Sequence, residues 1–155
     1  MISIEISDIK SFMSKLLVKD TYDRLLVSEI TLTTGNTYNI SGKINRSFYT
    51  GEELEALPSQ DYASWETFRP TCFSLIKGIK TPSFFKIIFL LPSDMVEELL
   101  EQNHLDYRLS DINGLFINLK YQDGRLTCVT GTSLSLFTLD KSLEQAFDNL
   151  VSTLF

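Results

Sequence analysis

Residues 115–130 read LFINLKYQDGRLTCVT and carry a clear hairpin signal. Residues 115–121 are mostly apolar and are predicted to form a strand. Asp123-Gly124 is typical of a tight two-residue turn, because both residues tolerate a positive φ. Residues 125–130 supply the returning strand. This segment predicts an antiparallel sheet as the framework of the fold.

The segments on either side of this hairpin extend the sheet and add helices. Residues 84–91 are continuously apolar, which predicts a central strand. Pro92-Ser93-Asp94 follows and is expected to begin a helix. Beyond the hairpin, residues 133–138 are predicted to form one more strand. Asp140 is expected to cap the last helix, which has a regular apolar stripe.

The N-terminal part of the chain carries similar signals. Residues 2–6 alternate as a short strand, and Ser7 or Asp8 can cap the helix that follows. Gly35-Asn36 predicts a hairpin between residues 25–34 and 37–44. Thr50 and Glu53 are spaced as a capping box for a short helix ending at Leu57. Pro70 is expected to break the next helical segment, or to begin a new helix.

Taken together, these elements predict an α+β fold with antiparallel hairpin-based sheets and packed helices. The order of elements in residues 2–57 resembles that in residues 84–155. We therefore expect one domain over residues 1–155, with a possible pseudo-duplication of strand–helix–strand–strand halves. Residues 58–83 would then connect the two halves. Nine side chains are predicted to be buried: Phe12, Leu16, Phe73, Ile76, Ile87, Phe89, Leu99, Phe147 and Leu150.

Composition restricts the classes of function. The formal net charge is −6, which disfavours general binding to nucleic acid or to anionic membranes. No apolar run approaches the ~20 residues of a membrane-spanning helix. Cys72 and Cys128 lie in apolar surroundings, so we expect two buried, reduced thiols and a cytoplasmic protein.

One stretch departs from the acidic character of the chain. Residues 65–86 contain four basic residues and one acid, together with several aromatic residues. Because such a charge reversal is typical of a binding surface, we predict five candidate binding residues: Trp65, Arg69, Lys77, Lys80 and Lys86. A competing interpretation is that the aromatic residues are core and the lysines keep the segment soluble. Lys86 could also protect a sheet edge.

Sequence motifs for catalysis are weak. One histidine and no Cys-x-x-Cys make a zinc site improbable, so no metal is expected. Gly78-Ile79-Lys80-Thr81 does not fit a phosphate-binding loop, because it is expected to enter a strand instead of a helix. The acidic clusters are expected to be solvated helix surface. We expect no cofactor and favour a protein that is not an enzyme.

Two segments resemble a known family. Residues 6–17 read ISDIKSFMSKLL, and residues 73–87 follow the pattern FxLIKGxKTPxxFKI within a longer similar stretch, residues 65–89. Both resemble an uncharacterised family of small bacterial cytosolic proteins, and the resemblance extends over most of the chain. It implies a domain that spans the whole chain. It supplies no catalytic residues, because the function of the family is unknown.

Three functional hypotheses follow. The first is a non-enzymatic binding or adaptor domain that recognises a protein partner through residues 65–86. The second is binding of RNA or single-stranded DNA through the same residues, with bases stacked on Trp65. The third is an enzyme whose site is assembled from residues distant in the sequence. The sequence leaves the partner and the oligomeric state open.

Overall fold

The computed structural model describes residues 1–76 and 81–155. It confirms the α+β class. The described residues form strands β1 (Ser3–Ile6), β2 (Leu26–Thr33), β3 (Thr37–Ser41), β4 (Phe84–Leu90), β5 (Ile112–Gln122) and β6 (Arg125–Leu134). The helices are α1 (Ile9–Leu17), α2 (Gly51–Ala56), α3 (Trp65–Ile76), α4 (Ser93–Gln102) and α5 (Ser142–Leu154). Short 3-10 turns lie at Arg46–Phe48 and Leu109–Asp111.

The six strands of the described residues form one sheet in the order β1-β6-β5-β4-β2-β3. Every neighbouring pair is antiparallel. The hairpin β5–β6 forms as predicted, and its turn has positive φ at both Asp123 and Gly124, the geometry that matches the twist of the flanking strands. β4 lies between β2 and β5, so the prediction of a central strand is confirmed.

The two halves of the chain share an order of elements but differ in strand neighbours. Both β2–β3 and β5–β6 are antiparallel hairpins. However, β4 pairs with both β2 and β5, whereas β1 pairs with β6 at the far edge of the sheet. Duplication of the two halves stays a prediction, because matching element order alone does not establish it.

The core lies on one face of the sheet, where strand residues alternate with those of the open face. In β4, Phe85, Ile87 and Phe89 are buried, while their neighbours are only half-buried. The buried side chains of α1, α3, α4 and α5 belong to the same cluster. These four helices therefore cover one face of the sheet.

Six of the nine predicted core residues are buried. Ile76 and Leu150 are half-buried and pack against the core. The prediction for Phe73 is wrong, since 40% of this residue is exposed. It follows the buried Cys72 in α3, and successive helical residues point about 100° apart. The apolar face of α3 therefore turns Cys72 inward and Phe73 outward.

Two local predictions are also wrong. Residues 133–138 do not form a separate strand, because β6 continues to Leu134 and residues 135–140 form a loop. Pro70 does not interrupt α3, which runs through it. A proline removes the helical hydrogen bond to the carbonyl four residues earlier, here that of Glu66. Both Glu66 and Pro70 are exposed, so water can satisfy that carbonyl.

The helix starts agree in position with the sequence signals, but their hydrogen bonds vary. Asp8 caps α1 by accepting from the Ser11 amide at 3.1 Å. Thr50 occupies the N-cap of α2 without a capping hydrogen bond from its side chain. Among the described helices, none is long and apolar enough to cross a membrane.

Candidate functional site

Trp65 lies in the core, where the sequence led us to expect an exposed aromatic anchor. It is 0% exposed. Its indole Nε1 donates to the Leu16 carbonyl oxygen at 2.8 Å, and its ring meets Phe89 edge-on at 5.7 Å between centroids. A base or a partner side chain cannot stack on a ring enclosed in this way. The predicted surface role of Trp65 is therefore corrected to a structural one.

Arg69 lies near the surface but is held in an internal ion pair. Its Nε donates to Asp23 Oδ1 at 2.8 Å and its Nη2 donates to Asp23 Oδ2 at 2.9 Å. The hydrogen bonds to Asp23 raise the pKa of the Arg69 guanidinium. This bidentate hydrogen bonding fixes the orientation of both side chains. Arg69 therefore links α3 to the segment that precedes β2.

Lys86 lies in the middle of the sheet, on the face opposite the helices. Its Nζ is 3.3 Å from Glu29 Oε1 on the neighbouring strand. The suggestion that it protects an edge is wrong, because β4 has a hydrogen-bonded strand on each side. Lys77 and Lys80 lie outside the described residues. The structure therefore does not gather Trp65, Arg69 and Lys86 into one surface.

The two cysteines are free thiols in the core, as predicted. Burial raises the pKa of Cys72 to about 11 and that of Cys128 to about 12. Because a thiol reacts as its thiolate, both side chains are inert in the folded protein near neutral pH. Among the described residues, no group of three or more His, Cys, Asp or Glu residues is placed to hold a metal ion.

A polar groove of about 620 Å³ lies between the start of α3 and the start of α4. Its lining includes Asp23, Arg24 and Asp94. The two carboxylates already form ion pairs, Asp23 with Arg69 and Asp94 with Arg24 at 2.8 Å. This groove therefore offers charges that are largely engaged within the protein.

A more distinctive surface is the loop that follows β6, which we call the apolar loop (residues 135–139). Phe137 is 90% exposed and Leu139 is 82% exposed, while Leu136 is 40% exposed. Leu109, which is 39% exposed, belongs to the 3-10 turn whose Ser110 and Asp111 carbonyls accept hydrogen bonds from Ser135 of the loop. Isolated exposed leucines are common in proteins, but contiguous exposed apolar residues mark contact sites.

Hydrogen bonds hold the apolar loop at both ends. Ser135 donates its amide to the Asp111 carbonyl at 2.8 Å and its hydroxyl to the Ser110 carbonyl at 3.0 Å. At the other end, Asp140 accepts from the Tyr107 hydroxyl at 3.1 Å and the Ser142 hydroxyl at 2.7 Å. The bonds from Ser142 lower the pKa of Asp140. The loop thus displays its apolar residues from fixed ends.

A second surface, which we call the aromatic groove, is formed by Phe48, Tyr49, Leu57, Pro58 and Phe68 with their neighbours. It occupies about 480 Å³. Phe48 is 77% exposed, and its ring meets Tyr49 edge-on at 5.3 Å between centroids. Of the described residues in the predicted binding segment, only Thr67 and Phe68 line this groove.

The wall of the aromatic groove is fixed by hydrogen bonds that join distant parts of the chain. Arg46 Nη2 donates to the carbonyls of Pro58 and Gln60, both at 2.8 Å. The Ile44 amide donates to the Asp61 carbonyl at 2.8 Å. The segment containing Phe48 and α2 is therefore anchored at its base, although no residue of α2 is buried.

Sequence reasoning missed both surfaces. The apolar loop was assigned to a strand because its residues are apolar and β-prone. A signal was present, since Leu136 and Phe137 are adjacent and break the alternation of a strand with one buried face. The aromatic groove combines residues 20 positions apart, Phe48 and Phe68, which a single sequence does not show to be neighbours.

Comparison with known proteins places the chain in a family without supplying an activity. The sequence profile of one protein family, described as "Family of unknown function (DUF5721)", matches residues 15–155. No curated protein matches the chain, and no solved structure matches it.

Proposed function

From the surface of this chain, which belongs to the DUF5721 family of unknown function, we propose that it is a protein-binding domain and not an enzyme. The apolar loop is the contact. The observation that carries this proposal is the exposure of Phe137, at 90%, beside Leu139, at 82%. Water-exposed apolar side chains held at fixed ends are typical of recognition residues.

The apolar loop can supply an anchor for a modest interface. Burying a Phe or Leu side chain contributes about 1.5–3 kcal/mol. Association also costs translational, rotational and side-chain freedom, so three such side chains need further contacts around them. Hydrogen bonds at Ser135 and Asp140 reduce the entropic cost, because the ends of the loop are ordered before the partner arrives.

A protein partner fits this surface better than nucleic acid does. The loop carries no charged residue, and its neighbours carry both signs, because Asp111 and Asp140 lie near Lys141, which pairs with Glu144. Phosphate groups would be repelled by the net charge of −6. Two of the residues that motivated the nucleic-acid hypothesis also no longer support it, because Trp65 is buried and Arg69 is paired.

The proposal is tested by the double substitution Phe137→Ala with Leu139→Ala. Native pull-downs identify partners, and each candidate is then purified so that its Kd can be measured with the wild-type protein and the variant. We expect at least a tenfold loss of affinity, since two anchor side chains are removed. The free energy of unfolding should be nearly unchanged, because substitutions of exposed residues usually cost under about 0.5 kcal/mol.

Val18→Ala is the control, because Val18 is an exposed apolar residue, 63% exposed, just after α1 and outside both the apolar loop and the aromatic groove. It should retain the affinity of the wild-type protein. Flotation with neutral lipid vesicles provides a further comparison. Equal partner affinity in the double variant, or vesicle binding that depends on Phe137, would contradict the proposal.

A further inference from the structure

The aromatic groove is a second surface with its own chemistry, separate from the apolar loop. It combines a recess of about 480 Å³, lined by both apolar and polar residues, with the aromatic side chains of Phe48, Tyr49 and Phe68. A recess of this size can accept one or two side chains of a partner. Phe48 is 77% exposed, so its ring is available for contact without any rearrangement.

The chain around this groove is acidic. Residues 50–66 contain five acids and neither lysine nor arginine. All five are exposed: Glu52, Glu53, Glu55, Asp61 and Glu66. The first three belong to α2, which directly links Tyr49 to Leu57, two lining residues of the groove. A helix of this length spans only about 9 Å, so its three glutamates lie within one short helix of two lining residues, although none of them lines the groove itself.

Two cations also lie here, and one is already engaged. Arg46 donates to the carbonyls of Pro58 and Gln60, so its guanidinium supports the wall of the groove. Lys43 lines the groove and is exposed. Glu66 lines the polar groove instead, but the other four carboxylates still outnumber these two cations, so the chain around the aromatic groove has a net negative charge.

From this combination we infer that the aromatic groove binds a basic, apolar segment of a protein partner. Apolar side chains of the segment enter the recess beside Phe48, Tyr49 and Phe68. Its lysine or arginine residues meet the α2 carboxylates and the faces of the exposed rings. Opposite charge across an interface raises the association rate and selects the partner, and a cation over an aromatic ring adds attraction. An acidic or phosphorylated segment is excluded by the same charges.

A selection of displayed random 12-residue peptides against the purified protein tests this inference and does not require the natural partner to be identified. We expect the selected peptides to be enriched in both basic and apolar residues. In NMR titrations with one such peptide, the amides of residues 43–49 and 57–68 should shift. Selected peptides that are acidic or uncharged, an absence of binders, or shifts confined to another surface would overturn the inference.

Variants then separate the apolar and the charged contributions. Phe48→Ala should weaken binding of the selected peptide more than tenfold, because it removes an exposed aromatic contact. The triple variant E52Q/E53Q/E55Q should weaken it by about tenfold in low salt and reduce its dependence on salt, since charge attraction is screened by ions. Its matched control is E97Q/E98Q/E101Q on α4, which makes the same change in net charge on exposed residues.

The control triple variant should bind the peptide as the wild-type protein does. An equal loss of peptide affinity in both triple variants would show that only the net charge of the protein matters. It would overturn the assignment of the binding site to the groove. Phe137→Ala should leave peptide affinity unchanged, because the apolar loop is a separate surface. A result for the groove is therefore distinguishable from a result for the apolar loop.

Discussion

Phe137 and Phe147 lie ten residues apart, but one is 90% exposed and the other is 0% exposed. Phe147 lies on α5, where helical spacing places it beside Leu143 and Val151 on the face that meets the sheet. Phe137 lies in the apolar loop, whose ends are tied to Asp111 and Tyr107. The same type of side chain, that of phenylalanine, packs in the core in one region and is exposed for binding in the other.

The comparison shows that apolar character alone does not locate a residue in the core. A helix of sufficient length repeats its apolar positions and so turns a whole stripe toward a neighbour. A loop lacks this repeat, and hydrogen bonds to its backbone decide which way each side chain points. In this protein, the apolar loop and Phe48 are exposed in a loop and a short 3-10 turn, while Phe73 and Leu54 are exposed on helices.

The largest expected effect comes from the buried member of the pair. Phe147→Ala should lower the free energy of unfolding by about 3–5 kcal/mol, because it removes a fully buried aromatic side chain and leaves a cavity. Phe137→Ala is the matched substitution and should cost under about 0.5 kcal/mol. Chemical denaturation of both variants measures the difference. Similar losses in the two variants would show that the comparison is wrong.

A smaller effect is expected at Trp65, the residue that sequence pattern placed on a binding surface. Trp65→Phe keeps an aromatic ring but leaves the buried Leu16 carbonyl without its indole donor. An unsatisfied buried polar group costs about 1–3 kcal/mol. Denaturation should show this loss, while the affinity for a protein partner stays unchanged. Loss of partner binding in a variant that remains folded would instead show that Trp65 contributes to recognition of the partner.

A third effect concerns the thiols, and it is absent at neutral pH because it is expected only at alkaline pH. Burial raises the pKa of Cys72 to about 11 and that of Cys128 to about 12, whereas an unfolded thiol has a pKa of about 8.5. Because the folded pKa is the higher one, the unfolded state loses protons first as pH rises. Stability is therefore retained below about pH 8.5 and falls toward pH 11–12, by up to about 1.4 kcal/mol per pH unit for each thiol.

Denaturation series between pH 8 and pH 10.5 measure this slope. In the double variant C72A/C128A, the free energy of unfolding should fall less steeply with pH than in the wild-type protein, whatever the absolute stability of the variant. A thiol reagent at pH 8 should label the native protein slowly and the denatured protein quickly. Rapid labelling of the native protein would show that the thiols are accessible and would remove the physical basis of the predicted slope.

Much of the fold could be predicted from the sequence because the relevant signals are local. Asp123-Gly124 and Gly35-Asn36 form turns from the conformational preferences of their own residues. The strand β4 was predicted from its continuous apolar run, and the stripe of α5 from its helical spacing. Asp8 could be predicted as a cap because it bonds to an amide only three residues away.

The candidate sites could not be predicted in the same way. Charge counting grouped Trp65, Arg69 and Lys86, but their environments depend on Leu16, Asp23 and Glu29, which lie elsewhere in the chain. Counting basic residues assumes that each charge is free, and two of these three residues are cations held by partners. Phe137 was placed in a strand because composition does not show where the pairing of β6 ends.

The sequence by itself therefore determined the hairpins, the helix starts and the alternating apolar faces, because each depends on residues a few positions apart. Only the tertiary structure decided that β1 pairs with β6, that Trp65 lies beneath α1 and that Phe48 meets Phe68 in one groove. These contacts depend on how complete elements pack together. The free energy that selects them comes from apolar area and hydrogen bonds shared between distant segments, and a local pattern does not record those partners.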